Sequence, residues 1–390
     1  MMCREFVAAS LCLALLAGCD TERERTVEAR LSLLETLAGA DTAGYERASA
    51  PRAFVFPADH GPHPTFRTEW WYVTGNLTAI DSGDISSRDY GFQLTIFRSA
   101  LSATAPASRS AWATNQAYMA HFTVTDVSAG TFHAHERFAR GAAGLAGAEA
   151  APLHVWLGDW SIEGAAEQTF PLRLRAEADG VAIDLMLEAG KPVVPQGDSG
   201  LSQKGPEPGN ASFYYSLTRM PAEGSLVVGG DTVVVSGSAW LDREWSTSAL
   251  SAEQAGWDWV ALQLADGWDL MAYRLRRRDG GADPRSEAVI VDPSGVATRL
   301  RFGDELVLQS TSTWTSPVDG AVYPSGWRID IPGRGWSLSV EPRIPDQELA
   351  LAFRYWEGAV SVNGTGEGGM PVAGKGYVEL TGYAGEAPER

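Results

Sequence analysis

The chain has 390 residues, a length that favours two or three domains over one. Aromatic residues make up 10 % of it, with 14 Trp, and 42 Gly break up short alternating runs, a composition of strands and turns and not of a helical protein. The formal net charge of −18 argues against a nucleic-acid partner, because phosphate binding needs a basic face and the one basic run, Arg274 to Arg278, reads as a solvated strand end.

At the N-terminus, Phe6 to Ala17 is apolar but too short to span a bilayer, and it runs into Leu16-Ala-Gly-Cys19. This predicts a secretory signal ending in a lipobox, in which the Cys19 thiol takes a diacylglycerol before cleavage leaves it as the first mature residue. All three Cys lie within residues 3 to 19, so the mature chain is expected to have no disulfide, no thiolate nucleophile and no Cys-bound metal. The expected location is the bacterial cell envelope, facing the periplasm, with the membrane as partner through Cys19 and with Asp20 favouring the inner membrane. Residues 20 to 26 read as a charged tether and Val27 to Leu37 as a short helix. The expected layout is residues 1–18 as signal peptide, 19–53 as tether and helix, 54–250 as a first β domain and 251–390 as a second.

Ordered β structure is expected from about Phe54. Glu69-Trp-Trp-Tyr-Val-Thr-Gly-Asn-Leu77 and Tyr90-Gly-Phe-Gln-Leu-Thr-Ile-Phe-Arg98 read as a hairpin, followed by a long Ala/Ser/Thr connection over 99–117 and a strand from His121. Gly141 to Ala151 reads as a Gly/Ala linker. Residues 190 to 211, rich in Pro and Gly, read as a loop, and loops that long in a compact domain are either disordered or cover a site. The last 140 residues then repeat the pattern. Trp257-Asp-Trp259 and Trp268-Asp-Leu270 answer to the first hairpin, Glu287 to His121, Tyr355-Trp356 to Tyr214-Tyr215, and Gly374-Lys-Gly-Tyr-Val-Glu379 to Gly237-Ser-Ala-Trp-Leu-Asp242. The predicted fold class is all-β: two tandem lipocalin-like (calycin-type) antiparallel barrels or half-barrels from an internal duplication.

Alternation assigns faces. Trp70 and Tyr72 share one face, Glu69, Trp71 and Val73 the other, so neither face is wholly exposed; one fills a barrel and the other packs on a neighbouring domain. Likewise Trp240, Asp242 and Glu244 face one way and Leu241, Arg243 and Trp245 the other. Asp242 between aromatics is desolvated, which favours its neutral form and suits a general acid; the competing reading is a structural ion pair of Asp242 or Glu244 with a neighbouring Arg. His60 and His63 lie in a loop before Glu69, where they could wall a site, shuttle a proton or, with no third ligand defined, bind metal; no metal site is expected. His121 reads as a hydrogen-bonded core residue or a catalytic one. His133, His135 and His154 read as surface or turn residues. No Gly-x-Ser-x-Gly elbow, phosphate loop or dinucleotide fingerprint occurs.

The strings His60-Gly-Pro-His-Pro-Thr-Phe-Arg-Thr-Glu-Trp-Trp-Tyr-Val-Thr-Gly-Asn-Leu77, Phe213-Tyr-Tyr-Ser-Leu-Thr-Arg219, Ala239-Trp-Leu-Asp-Arg-Glu-Trp245 and Gly374-Lys-Gly-Tyr-Val-Glu-Leu-Thr-Gly-Tyr383 resemble the AttH-like branch of the carotenoid 1,2-hydratase family. The resemblance runs from about residue 54 to 384. It implies two packed lipocalin-like barrels and cofactor-free addition of water to the terminal double bond of an acyclic carotenoid: an acid protonates the alkene, a tertiary carbocation forms and water captures it. The family's essential aspartate matches Asp242; its upstream histidine, in a His-x-Trp setting, falls on Phe213-Tyr-Tyr215, where this chain has none.

The function expected is therefore an envelope protein binding an apolar isoprenoid or acyl ligand and adding water to it as a hydratase or hydrolase, without cofactor. Asp242, Glu244, His121 and Glu69 are the candidate catalytic residues. Trp70, Trp71, His63, Tyr215, Trp240 and Trp245 are the candidate ligand contacts. The alternatives are a carrier or sensor that leaves its ligand unchanged and an envelope assembly factor.

Overall fold

The computed structural model describes residues 42–80, 88–166, 168–247 and 250–384; the signal, Cys19 and the expected helix at Val27 to Leu37 lie outside them. Two antiparallel sheets account for the fold. The first comprises β1 (Thr68–Ala79), β2 (Asp89–Ala100), β3 (Gln116–Asp126), β4 (Thr131–Arg140), β5 (Ala146–Ala150), β6 (Leu153–Leu157), β7 (Trp160–Gly164), β8 (Leu172–Ala178), β9 (Val181–Leu187), the short β10 (Val194–Pro195) and β11 (Leu201–Gln203), then β12 (Ala211–Val228) and β13 (Asp231–Ser246). Its spatial order is β4-β3-β2-β1-β13-β12-β9-β8-β7-β6-β5, a nearly closed barrel with β10 and β11 on the side of β12.

The second comprises β14 (Gln254–Leu264), β15 (Asp269–Arg277), β16 (Glu287–Val291), β17 (Ala297–Arg301), β18 (Val307–Ser310), a separate small ribbon of β19 (Thr313–Thr315) and β20 (Val322–Pro324), then β21 (Trp327–Ile331), β22 (Trp336–Pro342), β23 (Glu348–Ala350), β24 (Arg354–Thr365) and β25 (Pro371–Leu380). Its order, β17-β16-β15-β14-β25-β24-β22-β21-β18, retraces that of the first sheet as a half-barrel. The duplication holds residue by residue at the centre. Tyr72 pairs with Asp242 and Thr95, and Thr95 with His121; in the second sheet Trp259 pairs with Glu379 and Tyr273, and Tyr273 with Glu287.

Each sheet buries its own apolar face. Trp71, Val73, Leu94, Phe122, Leu241 and Trp245 fill the first barrel, and Leu262, Ile290, Trp327, Leu338, Trp356 and Val378 the second. The opposite faces of β1, β12, β13, β14, β15, β24 and β25 meet in a third apolar cluster that includes Tyr72, Tyr214, Trp240, Trp259, Tyr273 and Tyr377. This is the two-sided burial that the alternation in β1 predicts. The sheets approach closely at Gly91 of β2, where a Cβ would lie 2.6 Å from the Ala359 Cβ and 2.9 Å from the Tyr377 hydroxyl.

Three segments differ from the sequence reading. Residues 54–67 are irregular apart from one 3-10 turn, Ala58–His60, so regular strand begins at Thr68. Ala146–Ala150 is strand β5 and not a linker: Gly147 gives Trp156 of β6 room to lie across it, a Cβ there coming within 2.4 Å of the indole. The Pro/Gly-rich stretch from 190 to 211 contains β10 and β11, short pairings made possible because only isolated residues in it need to join the edge of β12.

Candidate active site between the barrels

The stretch between β9 and β12 crosses to the second sheet as a strap. Lys191 Nζ bridges to Asp269 Oδ2 at 2.8 Å, Val194 packs with Val289 and Val291, and the Ser202 hydroxyl meets the Tyr273 hydroxyl at 2.7 Å. Beneath it the facing strands enclose a cavity of about 110 Å³ walled by Trp70, Tyr72, Tyr214, Trp257, Trp259 and Tyr273. Four carboxyl side chains line it, Asp242 and Glu244 from β13, Glu357 from β24 and Glu379 from β25, together with one ammonium, that of Lys204 in the strap.

Asp242 is held by three donors. Its Oδ2 accepts from the Tyr214 hydroxyl at 2.5 Å, and its Oδ1 from the Trp240 indole at 2.7 Å and from the Ser216 hydroxyl. Burial pushes its carboxyl up to about 6 against the opposing pull of those donors. Glu244 pairs with Lys204 at 3.3 Å, and the same ammonium sits 4.3 Å from the centre of the Tyr273 ring. Among the described residues neither acid pairs with an arginine, because Arg243 points to the other side of β13 and meets Glu69.

Glu357 accepts from Tyr72 at Oε1 (2.6 Å) and from Gln93 at Oε2 (2.7 Å). Glu379, directly opposite it across the β24–β25 ladder, accepts from the Trp257 indole at 3.2 Å. Burial raises both, Glu379 to about 8; the Glu379 charge adds to the rise of Glu357, and the charges of Asp242 and Glu244 add to that of Glu379. His121 lies one layer back. Its Nδ1 meets the Tyr355 hydroxyl at 2.7 Å, and that hydroxyl also accepts from Gln93. Burial lowers His121 to about 3, so the ring is neutral in the fold.

Of the residues singled out in the sequence, Trp70, Asp242 and Glu244 line the cavity, Trp240 supports Asp242 from beside it, and His121 stands behind the wall, bonded to Tyr355 and packed on Phe97. Glu69, Trp71, Tyr215 and Trp245 belong to the opposite face of the first sheet, inside its barrel, and His63, in the loop before β1, packs against that face. There Glu69 is fully buried between Arg98 and Arg243, and His63 stacks on Trp245 with ring centres 3.8 Å apart. The Arg243 guanidinium lies 3.9 Å from the Trp71 ring centre, and Tyr215 bonds His60 at 2.6 Å. Burial opposes ionisation of Glu69, but the two guanidinium charges outweigh it and hold the carboxyl well below the usual range. This ionic core fills the barrel side of the sheet and meets the cavity wall only from behind, where the Arg243 guanidinium donates to the backbone carbonyls of Trp70 (3.3 Å) and Glu244 (3.1 Å).

Lys204, Glu357 and Glu379 were not among the candidates from sequence. Glu379 carried a signal as the repeat partner of Asp242. Glu357 carried another, two residues beyond Tyr355 and so on the same face of its strand.

A protein from Nitrosomonas europaea assigned as an AttH shares 36 % identity with this chain at a TM-score of 0.73, the match covering 86 % of this chain and 100 % of that one. Kievitone hydratase from Nectria haematococca aligns at 18 % identity and a TM-score of 0.66 over 87 % of this chain and 97 % of its own, and CghA with Sch210972 at 15 % and 0.56 over 90 % and 98 %. At those identities the likeness to the last two is one of fold. A comparison with curated protein sequences gave no match. The AttH-like family model matches residues 47–383, a span that takes in both sheets and the cavity between them, and the chain belongs to the AttH-like family.

Proposed function

We propose that the inter-barrel cavity binds an apolar small molecule, isoprenoid or acyl in character, and adds water to it by acid–base chemistry of the protein's own carboxyl groups. The observation that carries this is the convergence of Asp242, Glu244, Glu357 and Glu379 on one aromatic-walled cavity in which, among the described residues, Lys204 is the only lining cation. Dry carboxyls without matching cations hold protons near neutral pH, and aromatic faces favour a cation that forms beside them. The kinship in fold with a hydratase supports the same chemistry. The lipobox at Leu16 to Cys19 supports an anchored, periplasm-facing location.

One observation favours the carrier reading: both oxygens of Asp242 are already occupied by donors. The two readings separate by mass spectrometry of organic extracts from the wild-type protein and Asp242→Asn, both expressed in the native envelope. A shared apolar species that differs by one water between the two supports water addition. The same unmodified species in both supports a carrier, and empty extracts from both would overturn ligand binding.

A further inference from the structure

Glu357 and Glu379 stand directly opposite each other on neighbouring antiparallel strands, both lining the cavity, and among the described residues neither forms an ion pair. Two carboxylates at that spacing in a dry site repel too strongly for both to ionise, so one proton is retained between them. The hydrogen bonds place it. Both oxygens of Glu357 accept from neutral donors, Tyr72 and Gln93, which suits the anion. Glu379 accepts only at Oε1, from Trp257, and its Oε2 has no partner among the described residues. We infer that Glu357 and Glu379 share a single proton and form the acid of the site, with Oε2 of Glu379 delivering it into the cavity.

This rests on the acid–base reading of the cavity and assigns its acid to the second barrel. In the step it supports, the O–H bond at Glu379 Oε2 breaks as the π electrons of a substrate double bond form a new C–H bond, leaving a carbocation. A water oxygen bonds to that carbon, Asp242 as carboxylate takes the proton the water gives up, and return of that proton to the pair closes the cycle with one water added. The titratable groups facing the pair are Tyr72 from β1, Tyr214 from β12, Asp242 and Glu244 from β13, Tyr273 from β15, Tyr355 from β24, Tyr377 from β25 and Lys204 from the strap; the tyrosines named are all raised above their ordinary value and stay neutral, and Lys204 is committed to Glu244.

The test needs no substrate. Protein labelled with 13C at glutamate carboxyls is titrated by infrared spectroscopy, and the Trp257 indole N–H is followed in parallel by 15N NMR. The wild type should show a neutral glutamic acid band at pH 6 that is lost with a midpoint near 8, with the indole resonance moving at the same midpoint. Glu357→Gln should lower that midpoint by at least one pH unit, about tenfold in proton affinity, by removing the neighbouring charge. In Glu379→Gln the indole should cease to titrate. Absence of the neutral band in the wild type at pH 6, or a midpoint unchanged in Glu357→Gln, would overturn the inference; the wild-type titration decides even where a variant folds poorly. A titrating pair in a protein whose extracts carry no ligand would instead count against the proposed function alone.

Discussion

Asp242 and Glu379 occupy the same place in the two copies of the duplicated domain: Asp242 pairs with Tyr72 and Glu379 with Trp259, and the two acids enter one cavity from opposite sheets. The equivalence ends at their partners. Asp242 is held by Ser216, Tyr214 and Trp240, whereas Glu379 has, among the described residues, Trp257 as its one donor and a second carboxyl, Glu357, beside it. Glu357 stands where the first copy has Ser216, two residues beyond the matching tyrosine. Duplication therefore supplied one fold twice, and divergence at this single strand position separated a donor-rich carboxyl from a donor-poor one, the asymmetry that the proposed division into proton donor and acceptor requires.

Asp242→Asn should stabilise the protein at high pH. The folded-state value near 6 exceeds the ordinary 3.8, so protonation favours the fold and the wild type loses that contribution as pH rises from about 4 through 6. The variant has no such loss. It should be more stable than wild type at pH 8, by on the order of 3 kcal/mol, with the difference vanishing by pH 4. Urea denaturation at the two pH values measures this.

Glu69→Gln should do the reverse and leave Arg98 and Arg243 buried without their counter-ion. Breaking a buried pair from one side costs about 3–5 kcal/mol. Because Glu69 lies on the barrel side of β1, the affinity of the remaining folded protein for its ligand should be unchanged. Parallel denaturation and binding titrations check both halves of the statement.

His121 is neutral in the fold and takes a proton at its ordinary value of 6.5 once unfolded, so its contribution to stability is full above pH 6.5 and is lost as pH falls toward 3. His121→Gln should flatten this acid limb. Asp242 and Glu379 act with the opposite sign over part of the same range, so the readout is the difference between variant and wild-type unfolding midpoints at pH 7 and pH 4.5.

Gly91→Val inserts bulk where the sheets touch, against Ala359 and the Tyr377 hydroxyl. Overpacking of this kind costs about 1–3 kcal/mol. The loss should be accompanied by greater quenching of tryptophan fluorescence by acrylamide, as Trp70, Trp257 and Trp259 become accessible.

The repeat and the face assignments were legible in the sequence because a strand's period of two is local: Trp70 and Tyr72 separate from Glu69 and Trp71 without knowledge of what either face meets. The partner of each face was not legible. Asp242 and Arg243 are neighbours in sequence yet belong to different chemical environments, one between the barrels and one inside the first, and only the strand pairing shows that Arg243 reaches Glu69. For the same reason Tyr215 and Trp245, aromatics in the right strands, turn away from the cavity. Lys204 was hidden by its setting in a Pro/Gly-rich loop, whose course over the second sheet depends on contacts more than 60 residues distant, such as that of Ser202 with Tyr273, 71 residues on.

The proposed chemistry requires that the working site lie between the sheets and not within a barrel. A crystal structure of the protein soaked with farnesol, an isoprenoid alcohol, tests it most directly. The predicted result is density for the ligand between Trp70 and Trp257, with its hydroxyl within hydrogen-bond reach of Asp242 or Glu379. Density inside the first barrel beside Glu69 and Trp71, or an empty cavity with farnesol bound elsewhere, would contradict it.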